Sequence, residues 1–305
     1  MKTRVRQLVV TGLTLCVVLW AMPGTAHAQI FVANYSSGTI GEYNLDGTTI
    51  NVSLVSGLSG PDGIAVSGGD LFVANFNNGT IGEYTTSGGT VNDALVSGLQ
   101  GPWGIAVSGG DLFVANFSND TIGEYTTSGG LINSSLVSGL NYPTGVAVSG
   151  GDLFVANFSN SPNGTIGEYT TSGGTVNASL VSGLYEPEGL AASGGDLYVA
   201  NYGNSSSSTI GEYTTSGGTV NASLLSSGIV APVTVAVSSG DLFVANVAGG
   251  RIGEYTTSGG TVNASLISSG LGRAYGIAVV VPEPTTLALA GYSGLSLLLF
   301  RRRRK

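Results

Sequence analysis

Short runs of apolar residues recur along the chain at nearly constant spacing, separated by glycine-rich polar pairs. The phrase Leu-Phe-Val-Ala-Asn, or a close variant, ends at Asn34, Asn75, Asn116, Asn157, Asn201 and Asn246. These asparagines lie 41, 41, 41, 44 and 45 residues apart. Each unit holds four β-prone stretches, as in Gly104-Ile105-Ala106-Val107, Leu112-Phe113-Val114-Ala115, Thr121-Ile122-Gly123-Glu124-Tyr125 and Ser135-Leu136-Val137. Gly109-Gly110 and Gly129-Gly130 punctuate them, so the periodic glycine reads as turn chemistry. Nothing within a unit has the i, i+3, i+4 apolar spacing of a helix.

Four strands of about five residues, with glycine turns, predict one antiparallel blade. A blade is apolar on both faces, so it needs a neighbour on each side, and a closed ring leaves none exposed. The repeat array starts in a second-type strand, Ile30 to Asn34, and ends in a first-type strand, Gly276 to Val279. Pairing these two would complete the first unit from both ends of the array. The expected fold is therefore all-β: a six-bladed propeller of four-stranded blades over residues 29–280, closed by its N- and C-terminal strands. An open β-solenoid is the alternative, and it has no use for that complementary split.

The flanks have a different pattern. Three cations in residues 1–7, an apolar run from Leu8 to Met22 and the small-x-small triplet Ala26-His27-Ala28 have the order of a secretory signal. Cleavage is expected between Ala28 and Gln29, giving a signal peptide over 1–28; a retained anchor is the alternative. The other flank runs Val281-Pro282-Glu283-Pro284, then apolar Thr285 to Phe300, then Arg301-Arg302-Arg303-Arg304-Lys305. The prolines end strand pairing. Sixteen helical residues would rise about 24 Å, short for a hydrocarbon core of about 30 Å. The basic cluster would stay on the cytoplasmic side.

The order of motif, hydrophobic helix and terminal arginines in residues 281–305 resembles the PEP-CTERM sorting signal. That resemblance implies export in a Gram-negative bacterium to the cell envelope, outer surface or extracellular matrix. It also implies transient membrane association through the C-terminal helix, and an exosortase-type processing enzyme that recognises Val281, Pro282, Glu283 and Pro284. An ordinary tail anchor is the alternative. The repeat itself is similar to NHL-type propeller units, with their Pro-x-Gly-Ile-Ala-Val strand before a Leu-Tyr-Val-Ala-Asp strand. Here Asn replaces the usual Asp, and the last unit has Arg273-Ala274-Tyr275 in place of the proline.

Charge narrows the partners. The whole chain carries a formal −8, but its cations cluster at the two ends. Between Gln29 and Glu283 only Arg251 and Arg273 oppose 18 acids, a formal −16. That field disfavours nucleic acid and anionic lipid surfaces. The sole cysteine, Cys16, and the sole histidine, His27, both lie in the signal-like segment, so the body has neither residue for catalysis.

Comparison among the six units locates candidate chemistry. Glu42, Glu83, Glu124, Glu168, Glu212 and Glu254 repeat, as do Asp70, Asp111, Asp152, Asp196 and Asp241. Residues present in nearly every unit read as parts of the blade. By contrast, the residue before each first-strand glycine changes: Asp62, Trp103, Thr144, Glu188, Val233, and Tyr275 in the last unit. The connection after each closing asparagine also varies, and in an up-and-down blade it falls at the same end. This end is the candidate recognition face, for extracellular polysaccharide or surface proteins, without a cofactor and without catalysis. The competing expectation is a hydrolase like the six-bladed gluconolactonases, in which Asp62, Glu188 and the closing asparagines would hold Ca²⁺. Triplets such as Asn177-Ala178-Ser179 and Asn263-Ala264-Ser265 match glycan acceptors, but duplication of the unit accounts for most of them.

Overall fold

The computed structural model describes residues 28–159, 163–203 and 208–281. Twenty-four strands form six four-stranded antiparallel sheets. Blade three is representative: inner strand Pro102–Ser108, second strand Asp111–Asn116, third strand Thr121–Thr126 and outer strand Leu131–Ser138. The outer strand extends beyond the apolar Ser135-Leu136-Val137 run. Its first five residues are exposed, so burial leaves no hydrophobic signature on them.

Ring closure follows the expected split. Blade one takes its inner strand, Ala274–Val280, from the far end of the array and its second strand, Gln29–Asn34, from the near end. Ile30 pairs Val279, Val32 pairs Ile277 and Ala33 pairs Gly276. The expected cleavage point thus coincides with the first strand residue; Gln29 Nε2 donates to Glu42 Oε1. Ala26 and residues 282–305, including Pro282, Glu283, Pro284 and the expected C-terminal helix, lie outside the described residues. Val281 is exposed directly after the closing strand.

The second strands are buried on both faces, which explains their unbroken apolar runs: Leu112, Phe113, Val114 and Ala115 are all 2% exposed or less. Each inter-blade core joins two neighbours. Phe113, Ala115, Ile122 and Val137 of blade three meet Val146, Leu153, Val155 and Tyr169 of blade four. In the third strand, tyrosine folds back over the glycine two residues before it. A Cβ on Gly123 would lie 2.8 Å from the Tyr125 ring.

Only part of the glycine is turn chemistry. Gly109 and Gly110 have φ of 63° and 94°, as a tight hairpin requires. The glycine of each Pro-x-Gly phrase has no such φ and instead permits close approach of inner strands. A Cβ on Gly104 would lie 2.3 Å from Thr144 O; on Gly63, 2.3 Å from Trp103 O; on Gly276, 2.2 Å from Asp62 O. Gly145 and Gly189 meet the next inner strand in the same way. Blade six has Thr234 at this position, and its inner strand touches that of blade one less extensively than other neighbouring inner strands touch.

Candidate functional site at the channel mouth

Each inner strand carries a bulge at the residue that varies among units. In blade two, Pro61 pairs Asn75 and Ile64 pairs Val73, so Asp62 and Gly63 oppose one residue, Ala74. Comparable shifts occur in all six inner strands. A bulge re-aims a side chain, and here it turns the variable residue toward the axis. Asp62, Trp103, Thr144, Glu188, Val233 and Tyr275 therefore line one cavity of about 110 Å³ between the inner strands.

Inner strands neighbour one another in blade order, from one through six and back to one. Asp62 in blade two thus faces Glu188 in blade five across the channel, three blades away in either direction. Asp62 is 3% exposed and Glu188 7%. Burial pushes both carboxyls well above the usual carboxylate range, and the charges of Asp62 and Glu186 raise Glu188 further. Glu188 Oε2 has no hydrogen-bond partner. Thr144 is already engaged: its hydroxyl lies 3.0 Å from Pro187 O and 3.3 Å from Ala156 O.

The linkage sign follows from these shifts. Asp62 and Glu188 keep protons in the folded chain at pH values where the unfolded chain has lost them. The folded state then binds more protons, and stability falls as pH rises through the interval between the two pKa values. Replacing both by Asp62→Asn and Glu188→Gln should raise the melting temperature at about pH 8, with the gain vanishing near about pH 4. Equal melting at the higher pH would show that the carboxyls are not desolvated in the folded ring.

Aromatic rings surround this cavity on one half of the mouth. Tyr35 lies 5.1 Å from Tyr275, Tyr275 lies 6.4 Å from Trp103, and Trp103 lies 5.4 Å from Phe76 and 4.9 Å from Phe117. Phe117 continues to Tyr142 at 5.1 Å. Trp103 and Tyr275 come from inner strands; Tyr35, Phe76 and Phe117 each follow a closing asparagine. The two variable connections thus converge into one surface. Repeat comparison singled out those connections but not the particular residues Tyr35, Phe76, Phe117 and Tyr142, which become neighbours only through ring curvature. Desolvation, with the Glu188 and Asp62 charges adding to it, pushes the Tyr275 hydroxyl up to about 12 despite nearby Arg273.

Backbone strain marks the same rim. The residue preceding each inner strand has a left-handed φ in every blade: Gly60 at 62°, Gly101 at 62°, Tyr142 at 47°, Glu186 at 47°, Ala231 at 50° and Arg273 at 56°. Two blades use glycine there, while Tyr142, Glu186 and Arg273 keep long side chains against a conformational cost of about 1–3 kcal/mol each. Tyr142→Gly should accordingly stabilise the chain by about 0.5–1 kcal/mol, the relief of strain partly offset by glycine's larger unfolded-state entropy. Thermal denaturation checks this; a lower melting temperature would mean the Tyr142 ring contributes more packing than its strain costs.

The repeated residues lie elsewhere. Asp70 and Glu83 share a sheet face at the opposite end of blade two, because Asp70 pairs Thr85 and Phe72 pairs Glu83. Burial raises Glu83, and the Asp70 charge adds to it; Glu124, Glu168, Glu212 and Glu254 have the same two causes. The closing asparagines do not reach the channel, contrary to their expected role as cation ligands. Asn34 Nδ2 lies 3.4 Å from both Val32 O and Thr39 Oγ1, and its Oδ1 accepts from Gly272 N at 3.1 Å. Asn157 and Asn246 likewise accept, from Asn141 N and Val230 N, whereas Oδ1 of Asn75, Asn116 and Asn201 is buried without a partner among the described residues. None of the six lines the cavity, so the side chains there offer fewer oxygens than the six to eight that calcium takes. Two opposed carboxyls and a committed threonine share the ring with Trp103, Val233 and Tyr275, and among the described residues no three His, Cys, Asp or Glu side chains gather for a metal.

Comparison with known proteins adds the fold. No family model matches the chain, and no curated protein matches it. Among solved structures, one chain of a nidogen/laminin complex superposes with a TM-score of 0.71 at 17% identity, covering 84% of this chain and 100% of that one. The virginiamycin B lyase of Staphylococcus aureus has a TM-score of 0.58 at 19% identity, covering 85% of this chain and 82% of its own. A gluconolactonase from Xanthomonas campestris has a TM-score of 0.58 at 13% identity, covering 72% and 79%. The chain is similar in fold to proteins of binding and of catalysis alike: it is a six-bladed β-propeller.

Proposed function

We propose that the chain is an exported, non-enzymatic propeller of the cell surface or extracellular matrix that binds polysaccharide at its aromatic mouth. The observation that carries this reading is the continuous arc from Tyr35 through Tyr275, Trp103, Phe76 and Phe117 to Tyr142. Rigid rings offer apolar faces for the C–H faces of sugars, with polar edges beside them, at low entropic cost. The body has no histidine or cysteine to act as general base or nucleophile, and its channel carboxyls are buried opposite each other. Export and sorting rest on the signal-like front and the Pro282-Glu283-Pro284 tail, with an exosortase-type enzyme as processing partner. Processing there would spare the ring, whose last strand ends at Val280.

Trp103→Ala and Tyr275→Ala should each weaken binding to the host's extracellular polysaccharide by about tenfold or more, as loss of a central aromatic anchor does. Unchanged binding in a glycan screen would remove the mouth from the reading. Deletion of 281–305 should shift the protein from envelope to medium on fractionation. The hydrolase alternative requires a metal heat on calorimetric Ca²⁺ titration of residues 29–280, and none is expected.

A further inference from the structure

Among the described residues, Asp62 and Glu188 have no hydrogen-bond or ionic partner that explains their burial. The two cations of the body are committed elsewhere: Arg251 donates to Gly228 O at 3.1 Å, and Arg273 donates to the Tyr275 hydroxyl at 3.1 Å from the exposed rim. Charged groups without a hydrogen-bonding or ionic partner are costly to bury. Yet the bulges of the inner strands aim both carboxyls into the cavity, with Glu188 Oε2 left unsatisfied.

The walls specify what would satisfy them. Around the ring Asp62 sits between Tyr275 and Trp103, whose centroids are 6.4 Å apart. Carboxylates beside aromatic rings attract a compact organic cation, through charge on one side and the ring quadrupole on the other. Arg273 already uses this chemistry from outside, with its guanidinium carbon 5.6 Å from the Tyr275 centroid. The carboxyls of Asp62 and Glu188, with the Thr144 hydroxyl already bonded, give a divalent metal few side-chain oxygens here, whereas an ammonium group needs only a few acceptors and tolerates Val233 and the aromatic walls. The cavity of about 110 Å³ admits a group of that size and not a whole sugar.

We propose that the channel is a receptor for an ammonium group, entering past Trp103 and Tyr275 and held between the carboxylates of Asp62 and Glu188. Combined with the aromatic mouth, the ligand class is a polysaccharide carrying free amino groups: the rings take the sugar faces and the channel takes the amine. This rests on the reading of the mouth as a glycan surface. Binding draws both carboxyls toward their charged forms, so it releases protons, and affinity rises with pH while the amine stays protonated. The groups facing the pair are the Tyr275 hydroxyl, Glu186 and, at the rim, Arg273.

The test uses the full body with a β-1,4-linked glucosamine tetramer, its fully N-acetylated counterpart, n-butylammonium and Ca²⁺, measured by calorimetry in two buffers of different ionisation heat. The free-amine tetramer should bind at least about tenfold tighter than the acetylated one. Buffer-dependent heat should report proton release, and both effects should vanish in the Asp62→Asn/Glu188→Gln variant. That variant loses a burial penalty, and its thermal transition checks that it is folded. Equal affinity for the two tetramers would overturn the channel assignment while leaving the mouth as a glycan surface. Binding of n-butylammonium alone, lost in the variant, would support the channel and overturn the glycan reading. No binding of any amine, or carboxyl-dependent Ca²⁺ binding that displaces the amine, would overturn the proposal.

Discussion

Replacing Gly104 by valine should lower the melting temperature by about 10 °C, from an overpacking cost of about 3 kcal/mol in a body of this size. The glycine does not occupy a left-handed turn, so the effect does not come from φ. A Cβ there would lie 2.3 Å from Thr144 O and 3.1 Å from Gly145 Cα and Val146 N. All three are backbone atoms of the neighbouring inner strand and cannot swing aside as a side chain could. Relief would require blades three and four to separate, and that strain would pass to the next step, where Gly145 packs so close to Glu188 O that a Cβ on it would lie 2.5 Å away. Blade six supplies the control. It already carries Thr234 at the equivalent position, so Thr234→Ala should change the melting temperature by no more than about 3 °C. Similar losses at Gly104 and Thr234 would show that the glycine ring does not set the inner-strand spacing.

The same contacts mark where sequence reading stops. Blade number, strand order and the pairing of Ile30–Asn34 with Gly276–Val279 are written in the phase of the repeat, because each strand has its own phrase. The inner ring of variable residues was also legible, since identical blades make a single differing position conspicuous. The opposition of Asp62 and Glu188 is a property of circular geometry, and linear spacing does not distinguish opposite blades from adjacent ones. The role of glycine divides for a similar reason. Gly109-Gly110 announces a turn locally, while Gly104 answers to a carbonyl forty residues away. The side-chain chemistry of the closing asparagines permits an oxygen-ligand role; it is their position at the strand ends, away from the residues lining the cavity, that keeps them from it, and Asn34 spends its oxygen on Gly272 N.

Ending the chain after Arg273 should abolish cooperative folding, the largest effect expected from any change considered. The lost strand, Ala274–Val280, pairs with the whole of Gln29–Asn34 and covers Ile30 and Val32, both fully buried. It also carries Ile277, which is 7% exposed and joins the core between blades six and one. Uncovering Ile30 and Val32 and losing the burial of Ile277 costs about 5–9 kcal/mol at about 1.5–3 kcal/mol each. That is comparable with the total stability of about 5–15 kcal/mol of an ordinary domain, before the unpaired strand edge and the two opened blade contacts are counted. The expected signs are lost near-ultraviolet dichroism, dye binding to exposed apolar surface and association. A rearranged chain separates loss of closure from mere truncation. Placing residues 274–280 ahead of Gln29 through Gly-Gly copies the Gly109-Gly110 hairpin, in which Ser108 pairs Asp111 as Val280 pairs Gln29. This permutant should recover a cooperative transition within about 5 °C of the parent, since it restores the same strand by a turn that the fold already uses. If it stays unfolded, closure from the two ends contributes something beyond the strand itself, and the ring is held by the covalent order of its blades as well as by their contacts.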